Sequence, residues 1–301
     1  MANEVVPSNI GDLISGEVMA AEFLLLLADR DDSLLRHPAI MQATAPNLRS
    51  NVVRVPHLGL MGYDTLSATT PGSEVANTAF SDDSTDVTIA SRAKVYSVDD
   101  LAAYISDGVF DSALLAQDAV ISITQTYIGL IANVTDDFTS TAGTSGVDAS
   151  WNDVVDAKTT LGIAKAVGEM MGILHPRQWG DLETDALSMG VLPANSMSGV
   201  IMQGLQSYKG RFMGIDFFVH SAVPTADAGA NRAGAIFTRG AVAVADAMIP
   251  AESDPNIINL GRGRFERARK GTYLETSWVT SNHSGAAKAI DGAGVTFKTD
   301  A

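Results

Sequence analysis

The sequence predicts an α+β chain. Three observations carry that reading. One long amphipathic helical signal runs from Phe110 to Val134, short strand signals recur on both sides of it, and neither an internal repeat nor a regular βαβ alternation joins them. At 301 residues the chain is one large domain or two modest ones, long enough to bury a core without staples. Cysteine is absent, which excludes a disulfide framework, a thiolate metal site and a cysteine nucleophile. With 35 acidic against 20 basic residues the formal charge is −15, which argues against binding DNA or an anionic membrane over a broad face. Charged residues are only 18%, and with 27 glycines much of the surface must be small or neutral, as extensive contact with copies of itself would permit.

Residues 1–50 read as an arm. Ile10, Leu13, Ile14, Val18, Phe23 and Leu25 support a helix to about residue 28, interrupted by Asp29-Arg30-Asp31-Asp32. His37-Pro38 marks an extended turn, because a residue before proline avoids the helical region. Val52 to Pro56 reads as a short strand. Val87, Ile89, Ala93 and Val95 alternate with Thr88, Arg92, Lys94 and Tyr96 as one half-buried strand. Between them lie about thirty residues without periodicity, and loops of that length in compact domains are usually functional or disordered. Residues 51–96 are therefore expected to form a hairpin that projects from the body.

Ser97-Val98-Asp99-Asp100 resembles a helix-capping box. The helix that follows carries two adjacent apolar stripes: Phe110, Leu114, Ile121, Ile128, Ile131, and Val120, Ile123, Tyr127, Leu130, Val134. They make it a spine of roughly 36 Å. Thr139 to Gly146 is a small-residue linker. Ser150 to Asp153 repeats the cap pattern before a shorter helix, and Met170 to Leu174 reads as a buried strand. Pro176 suits the first turn of a helix holding Trp179, Leu182 and Leu187. Strands follow at Ile215 to His220, Ala235 to Thr238, Ala241 to Ala245 and a long stretch from Arg262 to Thr280, and Asp291-Gly292 marks a turn before Val295 to Lys298.

Motifs of catalysis are missing. There is no phosphate-cradling G-x-x-x-x-G-K-[ST] and no G-x-S-x-G elbow, and Gly261-Arg262-Gly263 lacks the third glycine of a dinucleotide fingerprint. Ser91-Arg92-Ala93-Lys94 matches S-x-x-K but falls in a strand pattern. The histidines His37, His57, His175, His220 and His283 are scattered without ligand spacing, and Asp82-Asp83 and Asp136-Asp137 read as solvated turns. No catalytic residue, metal site or cofactor is expected. One basic cluster stands out: Arg262, Arg264, Arg267, Arg269 and Lys270, with Glu266 among them. Strand alternation divides it between faces, so it is expected to pair with carboxylates within or between subunits rather than to track phosphates. The N-terminus carries Glu4 and Asp12 but no early Lys or Arg, and the longest apolar run is Phe23 to Ala28, so neither a signal peptide nor a membrane span is expected.

The order of these pieces resembles the major capsid protein of tailed bacteriophages, the Hong Kong 97-type fold. Three stretches carry the resemblance: MMGILHPRQWGDLE (170–183), GRFMGIDFFVHSAVPT (210–225) and GAIFTRGAVAVAD (234–246). It implies a structural, non-enzymatic subunit that self-assembles as pentamers and hexamers into an icosahedral virion shell. The shell would form in the host cytoplasm around double-stranded DNA that it does not bind sequence-specifically. It implies residues 1–50 as an N-terminal arm, 51–96 as an extended loop lying over a neighbour, and 97–146 as a peripheral domain with the spine helix. Residues 147–250 would be an axial domain, and 251–301 a return through the peripheral domain to the C-terminal end. Implied partners are a portal, a separate scaffolding protein and an accessory decoration protein, with no membrane. Some members crosslink neighbours through a lysine in the extended loop. No Lys lies between residues 1 and 93 here, so no isopeptide bond is expected. Some carry a long N-terminal segment that guides assembly, and here there is room only for an arm. An encapsulin-type compartment shell shares the fold and remains the alternative reading, followed by an acidic cytosolic enzyme.

Overall fold

The computed structural model describes residues 34, 37–45, 51–58, 82–99, 112–166, 168–188, 208–226, 229, 231–247, 257–259, 264–268 and 275–300. The expected arm helix and the loop between residues 59 and 81 lie outside them. The strands are β1 (Ile40–Ala45), β2 (Val52–Leu58), β3 (Asp82–Thr88), β4 (Ala90–Asp99), β5 (Thr141–Ala142), β6 (Met170–Leu174), β7 (Tyr208–Phe212), β8 (Ile215–Val219), β9 (Thr225–Ala226), β10 (Asn231–Phe237), β11 (Val242–Ala247), β12 (Ile257–Asn259), β13 (Arg264–Ala268), β14 (Glu275–Lys288) and β15 (Gly294–Asp300). The helices are α1 (Ser112–Asn133), α2 (Trp151–Ile163) and α3 (Pro176–Ser188). The class is α+β, as the sequence predicts.

Two main sheets organise these elements. One runs β1-β11-β14-β13-β12, with β4 also pairing β14; the other runs β5-β15-β10-β6-β8-β7, with β9 on β10. Strand alternation divides the second sheet between two cores. Met171, Ile173, Phe218, Ala235 and Phe237 face a cluster with Val120, Ile123, Tyr127 and Ile131 of α1, with Val134 just beyond its end, and with Ile40, Val242 and Val244 of the first sheet. Their neighbours Leu174, Ile215, Phe217, Ile236 and Phe297 pack against Val154, Ala157 and Leu161 of α2 and Trp179 and Leu182 of α3. Fully burying side chains of this size stabilises by roughly 1.5–3 kcal/mol each. The spine helix thus joins both sheets through its apolar stripes. No helix among the described residues is long and apolar enough to cross a membrane.

Local chemistry fixes the helix starts. Ser150 accepts from the Asp153 amide while the Asp153 carboxylate accepts from the Ser150 amide, a reciprocal cap. At α3 a histidine does the same work. His175 Nδ1 accepts from the Arg177 amide at 3.2 Å, and the Gln178 side chain accepts from the His175 amide at 2.9 Å. Pro176, which has no amide hydrogen to satisfy, opens the helix.

Three expectations need correction. The Ser97–Asp100 stretch opens no helix at that point, because β4 continues to Asp99 and pairs with β14 from Ala90–Ser284 to Asp99–Glu275, so a ten-residue ladder overrides the local cap signal. The single strand expected across Val87 to Tyr96 is two. The chain leaves the β2–β3 ribbon at Ile89, whose amide donates to the Asn51 carbonyl at 2.7 Å, and re-enters a different sheet as β4. The long stretch from Arg262 to Thr280 holds two antiparallel strands, β13 and β14.

Candidate assembly surfaces

The β2–β3 ribbon pairs from Val52–Thr88 to Leu58–Asp82 and forms a sheet of its own among the described residues. A two-stranded ribbon is marginal alone, so its base needs an anchor. Val55, Val87 and Ile89 bury against Ala243 and Ala245 of β11, with Met41, Ala43 and Ala287 beside them. This is the sheet face opposite the one that Val242 and Val244 turn toward α1. Gly285 makes the seat possible: a Cβ there would lie 2.1 Å from the Thr88 carbonyl oxygen. On its opposite face the ribbon is mostly polar and exposed. Arg54 Nε donates to Asp86 at 3.0 Å on an exposed face, where the carboxylate holds the guanidinium's pKa above its ordinary value. Such an exposed pair adds little stability.

The basic cluster falls partly on β13. Arg264 pairs in register with Ser281 and Arg267 with Trp278, which puts these two positions on opposite faces of the sheet. Arg262, Arg269 and Lys270 lie outside the described residues. The S-x-x-K match is divided in the same way. Ser91 bonds His283 Nδ1 at 2.7 Å, while Lys94 reaches Asp118 and Ser122 of α1 from the other face, so the two do not meet.

The junction between the sheets holds residues that the sequence reading missed. His37, just before β1, bonds Asp216 of β8 through Nε2 at 3.2 Å, and the Tyr208 hydroxyl donates to the same carboxylate at 3.0 Å. Burial and the bond to Asp216 push the Tyr208 phenol up. The Ala39 amide donates to His37 Nδ1, so the ring's Nε2 carries the hydrogen shared with Asp216. A signal for this was present: Asp216 interrupts the apolar run Ile215-Asp216-Phe217-Phe218, and a charge in a buried strand needs a partner. Thr135, at the end of α1, adds a second tie by donating to the Ala233 carbonyl at 2.6 Å, while Thr296 donates to the Thr135 carbonyl at 2.7 Å.

The histidines serve these separate structural contacts. The cluster of metal-ligand type among the described residues is Asp148, Asp181 and Asp300. Arg177 reaches Asp181 at 3.5 Å and Asp300 at 3.3 Å, which makes it an ion-pair network. Burial is the main reason the Asp181 carboxyl titrates above its ordinary value.

No family model matches the sequence, and no curated protein does. Solved structures do match in shape. The capsid of a native GTA particle superposes with a TM-score of 0.60 at 14% identity, covering 90% of this chain and 91% of that one. The capsid of Ralstonia phage GP4 gives 0.59 at 13%, covering 87% of each chain. The holo-SrpI encapsulin complex from Synechococcus elongatus gives 0.58 at 12%, covering 90% and 88%. The chain has the Hong Kong 97-type capsid fold.

Proposed function

We propose that this chain is a shell subunit, the major capsid protein of a tailed phage, assembling as pentamers and hexamers into an icosahedral particle around double-stranded DNA. The observation that carries the reading is the end-to-end likeness to capsid subunits, 90% of this chain on 91% of one of them. The role is structural rather than enzymatic. A formal charge of −15 supports it, since an acidic wall repels packed phosphate instead of gripping it. The β2–β3 ribbon, with residues 51–96, is assigned to a neighbouring subunit, and residues 1–50 to an arm. Residues 97–146 and 251–301 form the peripheral body and 147–250 the axial body, with β11 carrying the chain into the six-stranded sheet. Arg262, Arg264, Arg267, Arg269 and Lys270 serve subunit contacts. Portal and scaffolding proteins complete the particle, which assembles in the host cytoplasm.

The second reading is an encapsulin-type compartment, favoured by the match to an encapsulin complex. One experiment tests both. Electron microscopy of the purified chain should show closed icosahedral shells, and boiling them in detergent should release 31.5 kDa monomers. Particles from the native source should contain DNA; enzyme cargo in its place selects the compartment. A chain that stays a monomer or dimer under all salt and pH conditions overturns both.

A further inference from the structure

The layer between α1 and the six-stranded sheet changes character along the helix. At the C-terminal half it is apolar, with Ile123, Tyr127 and Ile131 against Ile40, Val242 and Val244. Near the middle of the helix, where Ser122 and Thr126 face β4 and β14 beside Ile123, it is polar and unfilled. A cavity of about 160 Å³ lies there, lined by Arg92 and Lys94 of β4, Ser122 and Thr126 of α1, and Thr280 and Asn282 of β14. Register explains the gathering. Arg92 pairs with Asn282 and Lys94 with Thr280, so all four stand on the sheet face that meets the helix.

Thr280 and Asn282 are each 3% exposed, yet Thr280 Oγ1 and Asn282 Nδ2 have no hydrogen-bond partner among the described residues. Buried polar groups are nearly always satisfied, so two orphans beside one cavity call for an occupant. Among the described residues Arg92 donates through Nη1, to the carbonyls of Ala90 at 3.3 Å and Ser284 at 2.7 Å. Lys94, half exposed at the mouth, is held by Asp118 and Ser122. Among the described residues no carboxylate lines the cavity, and the nearest one, Asp118, is paired with Lys94. Water could satisfy the hydroxyl and the amide, but it brings no charge to set against the Arg92 guanidinium. The volume suits several waters or one small anion, since a water's share of liquid volume is about 30 Å³.

We propose that this cavity binds a small tetrahedral oxyanion of the phosphate or sulfate class. The Arg92 guanidinium, the Thr280 hydroxyl and the Asn282 amide donate to it, beside the Lys94–Asp118 pair at the mouth. The bound ion links β4 and β14 beside α1. The site does not depend on the shell reading.

Sodium phosphate, titrated calorimetrically into the full-length chain against sodium chloride of equal ionic strength, tests it. Saturable single-site binding and a raised Tm are expected with phosphate and not with chloride. Arg92→Gln should weaken binding about tenfold or more, the scale of one hydrogen bond to a charged group. Should that variant fold poorly, Thr280→Val keeps the shape and removes an unpartnered hydroxyl. It should be at least as stable without phosphate, and should still bind phosphate about tenfold more weakly. Absence of saturable binding, equal stabilisation by chloride, or unchanged affinity in Thr280→Val overturns the proposal.

Discussion

Single side chains show how closely local chemistry and packing are coupled. Gln178 is fully buried and touches three elements: it closes the cap of α3 and donates to the carbonyls of Arg232 at 3.2 Å and Phe297 at 2.9 Å. The fit extends to Gly234, where a Cβ would lie 2.7 Å from the Gln178 side-chain oxygen. Gln178→Leu removes every one of these bonds and strands buried backbone groups, so denaturant unfolding should show a loss of about 3 kcal/mol. His175 and His220 give a pH prediction. Burial lowers both imidazoles below the ordinary 6.5, with Arg232 adding to the effect at His175. In the window below 6.5 the unfolded chain therefore binds more protons than the folded one, and stability falls as the pH drops through it. His220 Nδ1 also accepts from the Ala222 amide at 3.0 Å, a bond that protonation at that nitrogen removes. His220→Asn keeps an acceptor for that amide but cannot titrate. The difference in unfolding free energy between pH 7 and pH 5.5 should shrink in that variant relative to the parent. An unchanged difference would show that His220 is not the titrating group.

At the scale of elements, what the sequence shows depends on how local the signal is. The spine helix was legible from Phe110 to Val134 and is found from Ser112 to Asn133, because its stripes are repeated every three to four residues. The strand Met170–Leu174 and the helix start at Pro176 were read to the residue, since a continuous apolar run meets a proline that can only open a helix. The change of sheet at Ile89 was not legible, because alternation continues unbroken through it and only tertiary pairing separates β3 from β4. The basic cluster was visible as a run of charges, but the S-x-x-K match and the His37–Asp216 contact show the limit: which charge meets which depends on strands far apart in sequence. Gly285 belongs to the same class, an ordinary glycine until β3 is laid over it. Gly285→Ala should therefore cost about 1–3 kcal/mol, as overpacking does, and raise hydrogen exchange at residues 87–89. Gly162→Ala is the control: no atom lies within 4 Å of its added Cβ, and in α2 the change should stabilise by about 0.5–1 kcal/mol.

For the whole molecule, the proposed shell role makes cohesion between like-charged copies the design problem. Thirty-five acidic residues against twenty basic ones mean that two subunits repel unless the few cations are well placed. The Arg262–Lys270 stretch concentrates five of those twenty within nine residues. Its register on β13 sets Arg264 and Arg267 on opposite faces, so no single face collects the charge that tracking a phosphate backbone requires. Carboxylate partners on a neighbouring copy suit this arrangement better. An exposed pair contributes only about 0.2–1 kcal/mol, but every interface in a shell repeats it, and closed assemblies sum their contacts. Changing Arg267 and Arg269 together to Gln tests the assignment. Empty particles made without nucleic acid should assemble in lower yield, or dissociate at lower denaturant, than the parent. Raising the salt should narrow the difference, because screening weakens the same contacts in the parent. If empty particles are unchanged and only DNA-filled ones lose stability, the cluster contacts phosphate and its assignment to the subunit interface is wrong.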